Sequence, residues 1–182
     1  CGVTSSAQLF VKGKLMDIRI AGTVEDSIVD GPGLRFVVFV QGCPHHCEGC
    51  HNPETHDFSA GKLTTTDALY EMCMENPLCS GVTFSGGEPF CQPEALYELG
   101  SRFKAAGKHL MCYSGWTFEE LLKKSGREEY VGKLLSILDV LVDGRFDISK
   151  RSLSLLFRGS SNQRLIDIPA SLSKGEAVEL PE

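Results

Sequence analysis

The run Phe36-Val-Val-Phe-Val40 passes without a break into a long loop, Gln41 to about Leu63, that carries three cysteines. A short, continuous run of β-formers reads as a buried strand. A loop this long inside a compact domain needs a reason, and functional loops are the usual one. The cysteines give one: Cys43-Pro-His-His-Cys47-Glu-Gly-Cys50 is a C-x3-C-x2-C cluster. A cubane iron–sulfur cluster takes one thiolate per iron, so three thiolates leave one iron open. An open coordination position is what catalytic metals keep for substrate.

The rest of the chain alternates strands with helices. Ile18 to Val24, Gly81 to Ser85, His109 to Tyr113 and Ile137 to Val142 read as further strands, with a late one near Arg164 to Ile168. Asp30-Gly-Pro-Gly33 is a turn. Thr64 to Asn76 reads as a helix with Thr64 and Asp67 as a capping pair. Ala95, Leu96, Leu99, Phe103 and Ala106 form a helical stripe over Pro93 to Ala106, closed by Gly107. Thr117-Phe-Glu-Glu120 is a capping box that opens another helix. The alternation predicts an α/β fold with a parallel sheet. There are too few units for a closed eight-fold barrel. The cysteine loop, Ser85-Gly-Gly-Glu-Pro89, Ser114-Gly115 and Asp143-Gly144 each follow a strand, and βα folds place their sites at the carboxyl ends of strands.

Composition narrows the function classes. A net charge of −6 with no basic run argues against nucleic acid. No stretch reaches the ~20 apolar residues of a membrane span. Three of the eight cysteines crowd into one loop, which favours a metal site in a reducing compartment, the cytoplasm, over a disulfide scaffold. Cys1, Cys73, Cys79, Cys91 and Cys112 are scattered and read as small buried hydrophobes. Residues 1–15 are expected to be a disordered extension, with Met16 as the natural start, and residues 16–182 a single domain.

Taken alone, each motif has a plainer reading. Cys43, Cys47 and Cys50 with His45, His46, His51 or His56 would also make a Cys3His zinc site, which on this scaffold would suit an interaction domain without catalysis. Cys47-Glu-Gly-Cys50 has the spacing of a thiol–disulfide motif. Gly86 and Gly87 let backbone approach a ligand, with Glu88 accepting from an ammonium group, or they make a tight turn with a solvated glutamate. Arg35 reads equally as a surface ion pair, Asp143 as a strand-end turn residue, and Phe157 to Arg164 as a solvated loop.

The combination is more specific. C-x3-C-x2-C after an early strand, then Gly86-Gly-Glu-Pro89 after the next, resembles the radical S-adenosylmethionine superfamily. Asp30-Gly-Pro-Gly-Leu-Arg35 leading into Phe36 to Cys43 resembles its glycyl-radical-enzyme activases. Val140-Leu-Val-Asp-Gly-Arg-Phe146 and Phe157-Arg-Gly-Ser-Ser-Asn-Gln-Arg164 resemble the activating proteins of anaerobic ribonucleoside-triphosphate reductases. The resemblance covers residues 16 to 172. It implies a partial, open βα barrel of the radical S-adenosylmethionine type. It implies a 4Fe–4S cluster on Cys43, Cys47 and Cys50 and S-adenosylmethionine on the open iron. The activity implied is formation of a glycyl radical on the reductase, with pyruvate formate-lyase or another glycyl radical enzyme as the alternative target. Implied partners are the reductase large subunit and a flavodoxin or ferredoxin as electron donor.

For the cofactor the resemblance points to Ser85, Gly86, Gly87 and Glu88 at the methionine end. Gly49 stands where the wider superfamily has an aromatic residue that packs on the adenine, so backbone around Gly49, with His51, would hold that ring. Asp143 would orient the adenosyl part or a monovalent cation. Asp30, Arg35, Arg158 and Asn162 would meet the partner's glycine loop.

Overall fold

The computed structural model describes residues 15–181. One seven-stranded sheet runs in the order β3-β1-β2-β4-β5-β6-β7. Its strands are β1 (Asp17–Ser27), β2 (Arg35–Val40), β3 (Lys62–Thr65), β4 (Gly81–Gly86), β5 (His109–Tyr113), β6 (Val140–Asp143) and β7 (Arg164–Asp167). The central strands β2, β4, β5 and β6 are parallel. The flanking strands are antiparallel: β1 to β2, β3 to β1 and β7 to β6. The parallel sheet expected from the alternation therefore holds at the centre only. β3 and β7 follow loops rather than crossover helices, and a chain that returns without a crossover pairs antiparallel.

Among the described residues five α-helices accompany the sheet: α1 (Thr66–Glu75), α2 (Pro93–Ala105), α3 (Phe118–Ser125), α4 (Glu129–Ile137) and α5 (Ile168–Lys174). Because side chains alternate along a strand, each strand sends every second residue to them. Phe36, Val38, Val40, Val82, Phe84, Leu110, Cys112 and Leu141 share one core with Leu69, Leu96, Leu99, Phe103 and Leu134 of the helices. Met111, Val140, Val142 and Leu165 form a second cluster. Burying a side chain such as Phe103, with no exposed surface, contributes ~1.5–3 kcal/mol.

Local chemistry sets the helix ends. The capping box at Thr117 and Glu120 is formed as expected. The cap of α1 is Thr65, which accepts from the Ala68 amide, one residue beyond the expected Thr64; Thr64 is held in β3 opposite Ile18. α2 starts on Pro93, and Gly107 just beyond it has φ +75°. Helix α5, absent from the reading of the tail, is capped by Asp167 and ends at Gly175 in the left-handed region. The extension expected over residues 1–15 lies, apart from Leu15, outside the described residues.

Candidate cluster and cofactor cavity

A cavity of about 500 Å³ opens at the carboxyl ends of the parallel strands. Cys43, Cys47, Cys50 and His51 line it from the loop after β2, and Ser85, Gly86 and Gly87 from the end of β4. Tyr113 ends β5 and Ser114 and Gly115 follow it, while Gly144 and Phe146 follow β6. Val29 and Asp30 form one wall, and Phe157, Arg158, Gly159 and Gln163 of the tail another.

Gln41 fixes the cysteine loop. It is buried, and its Nε2 donates to the carbonyls of Glu54 (2.9 Å) and Asp57 (2.7 Å). The Gly42 amide donates to Thr55 and the Cys43 amide to His56. Returning chain is thereby stitched to the start of the loop. His46 adopts φ +48°, uncommon outside glycine, although histidine, asparagine and aspartate tolerate it best.

Gly86 and Gly87 serve packing within the chain. A Cβ on Gly86, whose φ is +92°, would lie 2.7 Å from the Phe39 Cα, and one on Gly87 2.5 Å from the Gly42 oxygen. The Gly87 amide donates to Val40 and the Glu88 amide to Gly42. The end of β4 is therefore clamped to the start of the cysteine loop, and no side chain fits between them.

Three site expectations need correction. Glu88 does not line the cavity; it is wholly buried. Its carboxylate pairs with His45 Nε2 (2.7 Å) and accepts from the Gly115 amide (2.9 Å), the Phe90 amide (3.0 Å) and the Ser114 hydroxyl (3.1 Å). That leaves it no place beside an ammonium group in the cavity. Arg35 is also wholly buried. Its guanidinium donates to Thr83 Oγ1 (2.7 Å) and to the carbonyls of Val82 (2.6 Å), Pro32 (3.0 Å) and His109 (3.2 Å). It braces the 30–33 turn against β4 and β5 from within the chain. Burial pushes its pKa down from the usual arginine value. Asp143, 1% exposed, accepts from Arg164 Nε (2.9 Å) and the Phe118 amide (2.7 Å). It takes the first amide of α3 and anchors β7, outside the cavity lining.

The other expectations divide. His51 lines the cavity with its ring 4.8 Å from that of Phe146. Gly49 has φ +70° and lies against Ile148, off the cavity lining. Asp30 lines the wall, its carboxylate accepting from Ser27 and its carbonyl from Thr83 (2.7 Å). Arg158 lines the tail side, with Nη1 3.4 Å from the Gln163 carbonyl. Asn162 is exposed and donates to the Arg145 carbonyl (2.8 Å). The tail is not a loose loop: Gln163 donates to Gly144 (3.0 Å) and accepts from the Gly159 amide (2.9 Å), and Tyr113 donates to the Phe157 carbonyl (2.9 Å).

The reading from sequence missed Phe39, Asn52, Tyr113 and Phe146 as lining residues. Tyr113 and Phe146 were findable, since each stands next to a strand-end motif that was singled out. Phe39 was findable from its alternation with Val38 and Val40. His45 and His56 were considered only as zinc ligands.

A family model described as a 4Fe-4S single cluster domain matches residues 29–166. The anaerobic ribonucleoside-triphosphate reductase-activating protein of Enterobacteria phage T4 is 34% identical over 143 residues, 75% of this chain and 86% of that protein. The protein of the same name from Haemophilus influenzae is 34% identical over 146 residues, 75% of this chain and 89% of its own length. The chain belongs to this family of 4Fe-4S activating proteins. A pyruvate formate-lyase-activating enzyme from Clostridium pasteurianum is 39% identical over 122 residues, but these make up 49% of that enzyme.

The residues of this family member suit an iron–sulfur cluster. Cys43, Cys47 and Cys50 face one cavity, and a cubane takes one cysteine per iron. Burial pushes the Cys43 and Cys47 thiols up from the usual cysteine value, so loading displaces protons. Of the other described cysteines, Cys73, Cys79 and Cys112 are buried in the core and Cys91 is half-buried, and none lines the cavity.

Proposed function

We propose that this protein activates an anaerobic ribonucleoside-triphosphate reductase. The observation that carries the reading is the meeting, in one cavity, of the three loop cysteines, the Ser85–Gly87 turn and the tail. The extent of the likeness supports it, since the chain spans 86% and 89% of two reductase activators. The shorter match to the formate-lyase activator makes that target the weaker reading.

The cluster and S-adenosylmethionine together supply reductive cleavage of the cofactor to methionine and a 5′-deoxyadenosyl radical, which takes a hydrogen atom from a glycine of the reductase large subunit. The chain's own part is binding, orientation and exclusion of water. Cys43, Cys47 and Cys50 each hold one iron and leave the fourth open. Backbone groups of Ser85, Gly86 and Gly87 offer polar contacts for the methionine end, and His51 with Phe146 offers a surface for the adenine. Tyr113, Phe146 and Phe157 put aromatic surface around the reacting group. Asp30 and Arg158, both at the cavity lining, receive the partner's glycine segment. The sheet is a partial, open βα barrel whose open side the partner closes. Residues 16–182 act as one domain. A flavodoxin or ferredoxin supplies the electron, in the reducing cytoplasm that free cysteines need; no helix among the described residues is long and apolar enough to cross a membrane.

The test is anaerobic reconstitution with iron and sulfide, then incubation with S-adenosylmethionine, a low-potential reductant and the reductase from the same source. Methionine, 5′-deoxyadenosine and a glycyl radical resonance are expected. Cofactor cleavage that yields a radical on pyruvate formate-lyase but none on the reductase would move the assignment to the second target.

A further inference from the structure

We propose that His56 is a further cluster-contacting residue, its Nε2 hydrogen-bonding a sulfur of the bound cluster. The inference rests on the iron–sulfur reading above. His56 lines the cavity together with Cys43, Cys47 and Cys50. Its Nε2 is buried and has no hydrogen-bond partner among the described residues. Buried polar atoms are nearly always paired, and leaving one unpaired is costly. His45, in the same loop, is paired through Nε2 with Glu88.

The His56 ring is held in place. It packs edge-on against the His46 ring, with centroids 4.9 Å apart and planes at 84°. Its own amide donates to Pro53, and its carbonyl accepts from the amide of Cys43. The imidazole is thus carried by the same stitched piece of chain as the first cysteine. The loop already sends one donor to a ligand sulfur, since the Asn52 amide lies 3.4 Å from Cys50 Sγ. Cluster and cysteine sulfurs accept hydrogen bonds. Such bonds favour the more negative, reduced cluster and so raise the potential. In its Nε2–H form, His56 is the donor that a cluster in this cavity would satisfy.

The experiment is an anaerobic redox titration of the reconstituted full chain without S-adenosylmethionine, followed by electron paramagnetic resonance. His56→Phe keeps a ring against His46 and removes the donor, whereas His56→Gln restores an N–H. His56→Phe should disfavour reduction about tenfold, a fall of ~59 mV for a one-electron couple, and His56→Gln should recover part of it. An intact cluster at the wild-type potential in His56→Phe overturns the proposal, even if that variant binds S-adenosylmethionine more weakly. Should His56→Phe not hold a cluster, the reduced wild-type cluster with 15N-histidine must show a nitrogen coupling that His56→Gln abolishes; its survival in that variant overturns the proposal. A wild-type chain that assembles no iron–sulfur cluster would instead fail the functional reading itself.

Discussion

The Glu88 carboxylate accepts from Ser114, Gly115 and Phe90 and pairs with His45, so its removal strands several polar groups in a dry place. His45 lies between the first two cysteines, with its ring edge-on to Trp116 at 4.7 Å. Glu88 therefore ties the second motif to the cysteine loop. Each unpaired buried group costs ~1–3 kcal/mol. Glu88→Ala should lower stability by about 3 kcal/mol and reduce iron retained per chain. Once normalised to assembled cluster, S-adenosylmethionine affinity should stay within about threefold, under 1 kcal/mol. Iron analysis with equilibrium binding checks this. A loss of tenfold or more with the cluster fully assembled would return the carboxylate to the cofactor.

At the scale of elements, Arg164 at the start of β7 joins three parts of the fold. It donates to Asp143 at the end of β6 and to Glu119 in the first turn of α3 (2.8 Å from Nη2). The hydrogen bond from Arg164 pulls the Glu119 carboxyl down to about 2 from an ordinary 4.5. A folded-state pKa below the unfolded one gives stability that is present above pH 4.5 and is lost as pH falls toward 2. Glu119 is 56% exposed, so screening by solvent keeps the contribution small. Metal-free wild-type protein should lose slightly more stability than Glu119→Gln between pH ~5 and ~2 in urea titrations. Parallel pH profiles for the two proteins would mean that the pair adds nothing. At the same scale, α4 escaped the reading from sequence because it starts without a side-chain cap at Glu128. It follows α3 after one short turn at Gly126, and only the start of α3 carries a capping signal.

For the whole molecule, what was legible was local. Phe36 to Val40 shows its buried strand in consecutive residues, and Cys43, Cys47 and Cys50 show their cavity in one loop. The strand-end motifs mark the carboxyl edge where the cavity opens. What was not legible depends on partners far along the chain. Arg35 reads as a surface charge because charged side chains are seldom fully buried; Thr83 and His109, which bury it, lie 48 and 74 residues away. Glu88 reads as a cofactor ligand because His45 lies 43 residues upstream. The antiparallel flanks were hidden for the same reason, since Asp17 pairs with Thr65 and Val140 with Asp167. Local motifs thus mark where the cavity lies, and long-range packing decides which of their side chains enter it. The central claim is that Cys43, Cys47 and Cys50 alone hold one 4Fe–4S cluster with an open iron facing S-adenosylmethionine. Mössbauer spectroscopy of the 57Fe-reconstituted chain, before and after adding that cofactor, tests it most directly. About one quarter of the iron should change its signal, as one open site per four irons requires. A spectrum in which no iron responds while the cofactor is bound would contradict the account.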